Sequence, residues 1–325
     1  MTTATLVPVT TELDGDELDA EDAWHLVRRV GVVRLAVDAF VRFRYADGFS
    51  HSRALALQAC LAVVPFLIAL TGLAADLDDE RPARVVARTV DGVSPGAGKA
   101  DALAQAVTSA DAGELAGELA LGFGLGFALV SMTTAMGQVE RGMNRIYGIR
   151  RDRKALHKYG RAAVLTLLLA GPVGLGFLTL VAGDAFGVAM AEDYGWSEGT
   201  RLLWGVVRWP IGLLVLVVAI AVLLDHAPRR RQPGLSWLAL GSGIAVTLAM
   251  TATGGLALYT TLSRSFSTVY GPLAGIFALL LWALLSSIAF FFGAAVCAQL
   301  EAVRAGQPEP ASPDPGRPRT RRDAG

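Results

Sequence analysis

Cysteine, lysine and histidine are scarce, and each shortage removes a class of function. The two cysteines, Cys60 and Cys297, both lie inside apolar runs, so neither a disulfide framework nor a zinc cluster is expected. The four histidines, His25, His51, His157 and His226, flank apolar runs without ligand spacing. His-Glu-x-x-His, Gly-x-Ser-x-Gly and Cys-x-x-Cys are absent. The basic flanks carry few carboxylates to hold a metal ion, so neither an enzyme nor a bound cofactor is expected. Charge is also thin. It makes up 18% of the chain, against about 25% in soluble domains. Acidic and basic residues balance at 29 each, which leaves no net field to gather nucleic acid. The acidic start (Glu12, Asp14, Asp16, Glu17) lacks the basic flank and apolar core of a signal peptide.

What the chain has instead is long apolar runs. A spanning helix needs about 20 mostly apolar residues. Six segments qualify: 54–75, 115–136, 162–182, 202–224, 235–258 and 273–298. Strand-length alternation is absent, which argues against a barrel. The fold expected is all-α, a polytopic membrane protein with six transmembrane helices. Residues 1–22 and 301–325 read as disordered tails. Residues 23–53 read as an amphipathic helix, with Leu26, Val30, Val33, Val37, Phe40 and Val41 on one stripe. It either lies in the membrane interface or packs on the end of the bundle. Residues 76–114 read as two short helices divided by Val93–Gly98, a small cap on the outer face.

Arginine and lysine are distributed unevenly over the connections. One face collects 22 of the 29, from the flank before the first span, the second and fourth connections and the tail; the other face holds six. By the positive-inside rule this is a multi-pass plasma-membrane protein with both termini cytoplasmic. The densest stretch runs from Asn144 to Arg161. Only Tyr147 and Tyr159 interleave its charges, too few aromatics for a nucleic-acid platform. Its expected role is orientation and contact with anionic lipid headgroups, through Arg145, Arg150, Arg151, Arg153 and Lys154. The expected partners are therefore membrane lipids, not nucleic acid.

Within the spans, Gln58, Glu118 and Arg208 are the polar positions of interest. Arg208 sits between Trp204 and Trp209, placed for snorkelling to the outer interface or for pairing with Glu118. Gly122 and Gly126 are spaced as a helix-packing face. Gly171-Pro172 and Pro210 permit kinks.

Three stretches resemble the YihY/BrkB family of six-span bacterial inner-membrane proteins, once labelled ribonuclease BN. One is VVPFLIALTGLA, with Pro65 at the family's Pro position. Another is NRIYGIRR, where Asn144, Arg145 and Gly148 match. The last is Tyr270–Glu301, where Tyr270, Gly271, Leu281, Trp282, Gly293 and Ala294 match, Gly271 and Gly293 being read as packing positions. The family's polar Glu and Asn in that last span are here Ala295 and Cys297. The resemblance covers roughly residues 30–302. It implies a transporter- or flippase-like role for a lipid or amphiphile. The alternative is a non-transporting envelope scaffold, and the least favoured is a membrane-bound ribonuclease.

Overall fold

Inside a bilayer a backbone with no neighbour to bond must satisfy itself, so apolar runs of this length become helices. The structure, a computed structural model, describes residues 6–13, 18–75, 85, 88–89, 114–262 and 274–312. Among these residues the chain forms α1 (Ala20–Val30), α2 (Val32–Tyr45), α3 (Gly48–Ala75), α4 (Glu114–Ile146), α5 (Ala155–Leu180), α6 (Gly183–Tyr194), α7 (Glu198–His226), α8 (Leu235–Leu262) and α9 (Ala274–Arg304). The all-α class is as expected. Among the described residues, five helices are long and apolar enough to cross a membrane, namely the last part of α4 together with α5, α7, α8 and α9. The first expected span falls in α3, many of whose later side chains lie outside the described residues. Most of the expected cap, 76–114, also lies outside them.

The six long helices close into a ring in chain order. α3 packs on α4, α4 on α5, α5 on α7, α7 on α8, α8 on α9, and α9 returns to α3. α1 packs on α8 and α2 on α9. This arrangement brings the start of α3, α5 and α8 together with the end of α4, α7 and α9. The basic connections therefore share one end. A buried core is at that end too, around Met143, Ile146, Tyr147, Leu224, Trp237, Phe291 and Leu300. Along the spans, Phe123, Leu203, Val206 and Leu262 point outward, which suits a lipid solvent.

Three expectations need correction. The amphipathic segment 23–53 is not one helix. Gly31, at φ +89°, a conformation that L side chains rarely adopt, breaks it between α1 and α2. The apolar stripe is split with it: Leu26 is buried, while Val33, Val37 and Phe40 are exposed. The tails are not wholly disordered. Thr10 is buried, its N–H donates to the Tyr147 carbonyl, and the Ser312 N–H donates to the Leu6 carbonyl. Finally, Gly122 and Gly126 face open space within this chain, and the buried small residues are Gly124 and Ala128 on the neighbouring face. Gly293 does pack closely. A methyl group there would collide with the carbonyl of Gly241, and one on Gly241 would meet the Cys297 sulfur. Gly271 lies outside the described residues.

Candidate lipid-contact site

The stretch 144–161 ends α4, turns through residues 147–154 and opens α5. Its side chains divide into two groups. Arg145 is used locally: its guanidinium donates to the carbonyls of Ile149 (2.9 Å) and Arg150 (2.7 Å). Arg153 reaches across to the end of α7 and donates to the carbonyls of Ala227 (3.1 Å) and Pro228 (2.9 Å). It also approaches Glu140 at 3.1 Å. A cation on terminal helix carbonyls satisfies groups the helix itself leaves open. Arg161 makes the same kind of contact with the His226 carbonyl. By contrast, Arg150, Arg151 and Lys154 are exposed. The expected five-residue headgroup patch is thus three exposed cations and two structural ones.

Asn144 holds the turn. Its amide donates to Asp152 at 3.2 Å, and its oxygen accepts the Arg229 backbone N–H at 2.8 Å. Partial burial alone would raise the Asp152 pKa. The Asn144 hydrogen bond and the nearby Lys158, Arg145 and Arg141 outweigh burial and hold it below the ordinary carboxylate value.

Beneath this turn lies a polar knot that sequence reasoning missed. Arg42 of α2 donates to Gln299 of α9 (3.0 Å), to the Thr10 hydroxyl (2.8 Å) and to the Ile146 carbonyl (3.0 Å). Burial pushes its pKa down to about 10, Tyr147 and Glu301 pulling it back up and Arg230 lowering it further. Arg230 and Glu301 approach at 2.7 Å, with side chains 2% and 0% exposed. The approach is an ion contact rather than an aligned hydrogen bond, since Glu301 Oε2 has no hydrogen-bonding donor. The Arg230 guanidinium also lies 4.6 Å from the centre of the Tyr147 ring, and the Tyr147 hydroxyl donates to Glu301 at 3.3 Å. Arg42 and Arg230 looked like two more counts toward orientation. Only the long-range contacts identify them as core residues.

The other intramembrane positions of interest are Arg208, Gln58 and Glu118. Arg208, 14% exposed, lies 3.9 Å from Asp184 and 5.4 Å from the Trp209 ring centre, so its acidic neighbour is at the start of α6. Gln58 is half-buried, and its side-chain oxygen is buried without a hydrogen bond. The Glu118 side chain lies outside the described residues.

A groove of about 360 Å³ lies between α3 and α9. Arg53, Ala56 and Leu57 form one wall, and Phe277, Leu280, Leu281 and Leu284 form the other. The apolar part follows α9 for two helical turns, about 10 Å. Arg53 stands one residue before the first expected span, at its basic end. Its Nε donates to the Phe49 carbonyl at 3.1 Å, which fixes the guanidinium of an otherwise exposed residue.

The sequence profile of the family described as "Virulence factor BrkB" matches residues 39–317. The ribonuclease-like protein YfkH of Bacillus subtilis, whose name carries that label provisionally, is 26% identical over 53% of this chain and 62% of its own length. A UPF0761 membrane protein of Alteromonas mediterranea is 33% identical over 51% of this chain and 54% of its own. Another, from Alkalilimnicola ehrlichii, is 28% identical over 51% of this chain and 36% of its own. The chain thus spans less than two thirds of these curated relatives. No solved structure matches.

Proposed function

The chain belongs to the BrkB virulence-factor family of integral membrane proteins, and on that premise we propose that it handles a lipid or similar amphiphile in a transporter- or flippase-like manner. The observation that supports this most is the α3–α9 groove. Its floor is apolar, Leu57, Phe277 and Leu281 are exposed at its rim, and Arg53 stands at one end. The apolar length takes part of an acyl chain, and a fixed guanidinium suits a phosphate. The basic end faces the cytoplasm of a plasma membrane in this reading, on the arginine asymmetry. The reading includes no nuclease activity. Among the described residues no three His, Cys, Asp or Glu side chains gather where a metal ion could be held.

The test is native mass spectrometry of the protein with its own lipids, paired with lipid movement across reconstituted vesicles. Ala56→Trp, which fills the groove, and Arg53→Gln are expected to lower both bound lipid and movement several-fold. Full retention and movement in both variants would overturn the reading. Bound lipid without movement in the wild-type chain would favour the second reading, an envelope scaffold. The polar knot supports that alternative, because it pins both terminal segments to one end of the bundle.

A further inference from the structure

We infer that α2 is a membrane-interface helix whose outer face docks on an anionic lipid surface, independently of the groove. α2 has two apolar faces. Leu35, Ala39 and Phe43 are buried toward the bundle, together with Arg42. Val33, Val37 and Phe40 follow at spacings of four and three, a second helical stripe. They are 78%, 55% and 46% exposed. A soluble helix end would present polar groups there. The next position on that stripe is Arg44, which is exposed. The acidic residue of α2, Asp38, lies 3.8 Å from Arg34. The stripe therefore carries positive charge at its edge and no carboxylate of its own.

Its depth follows from two contacts. Phe43 lies 6.4 Å from Phe292, ring centre to ring centre, and Arg42 bonds Gln299. Gln299 stands one residue past the end of the expected last span, and Phe292 lies less than two turns inside it. α2 thus lies beside the bundle at headgroup level. Its outer face runs on through the edge-to-face pair Phe40–Phe49, at 6.3 Å, to the exposed Leu61 of α3. An apolar surface continuous with the lipid-facing side of a span, with arginine at its rim, matches a lipid leaflet bearing negative headgroups.

The test places a nitroxide at Val33→Cys or Val37→Cys in the full chain carrying Cys60→Ser, in lipid nanodiscs. Leu61→Cys serves as a buried-in-lipid reference and Glu309→Cys, on the exposed segment after α9, as an aqueous one. The expected result is that oxygen collides with both α2 labels more often than a water-soluble nickel complex does, as at Leu61. The labels are expected to sit deeper in discs containing phosphatidylglycerol than in phosphatidylcholine alone, and Arg44→Gln to reduce that difference. Nickel access as high as at Glu309 would overturn the proposal. So would spin–spin broadening between copies, which would give the face to a second chain, or equal depth in both lipids.

Discussion

Arg230 and Glu301 meet at 2.7 Å with almost no exposure, and Arg42 is buried beside them, so two arginines share one carboxylate. Removing one partner of a buried pair costs about 3–5 kcal/mol, mostly because the other charge is left behind. Glu301→Gln is expected to lower the melting temperature in detergent sharply. Replacing both, as in Arg230→Met with Glu301→Leu, is expected to recover much of that loss. A double variant as unstable as the single one would show that the pair itself, rather than its orphaning, matters.

The two groups of cations in the basic turn should separate in experiment. Gln at Arg150, Arg151 and Lys154 together is expected to lower co-purifying anionic lipid while leaving melting unchanged, since each surface charge contributes about 1 kcal/mol of attraction to such lipids. Arg153→Gln is expected to do the reverse. It removes charged hydrogen bonds to the end of α7, each contributing about 1.5–3 kcal/mol. Mass spectrometry of bound lipid and a melting curve on the same preparations distinguish the two.

His51 gives a pH dependence. Burial holds its pKa below 6.5, with Arg145 and Arg141 adding to the effect and Asp47 and Asp152 opposing it. The fold prefers the neutral ring, so its contribution is complete above about pH 6.5 and is lost as pH falls from there through the folded value. Melting of the wild-type chain is expected to decline between about pH 6.5 and 5 more steeply than that of His51→Gln. Parallel curves would reject the assignment.

Gly148 has φ +77°, and a side chain there would collide with the Pro8 carbonyl. Gly148→Val therefore both strains the turn, by roughly 1–2 kcal/mol, and displaces the segment around Thr10. Limited proteolysis is expected to cleave this variant within residues 6–13 at least tenfold faster than wild type. Equal rates would mean that the segment is held elsewhere.

The helices were legible because length and apolarity alone dictate them, and the shared basic end followed from where arginine is concentrated. What could not be read were contacts between positions far apart in the chain. Arg153 and Arg150 look alike in sequence, yet only Arg153 lies where the end of α7 presents free carbonyls. Gly122 and Gly126 have packing spacing, but spacing does not say which face of α4 meets a neighbour. Gly31 could have been noticed. A glycine in the middle of an amphipathic run is a local signal of a break, and the apolar stripe outweighed it.

The Arg42–Gln299 bond joins residues 257 apart in sequence, which sets an order of events during synthesis. At about 5–20 residues per second, the first partner waits on the order of 10–50 s for the second to be made. Meanwhile Arg42 and then Arg230 have no Gln299 or Glu301 to bury against, and the end of the bundle that holds them stays open. A nascent chain becomes a closed molecule only when its last long helix arrives. Closure of that end therefore distinguishes a chain that holds its last long helix from one that lacks it.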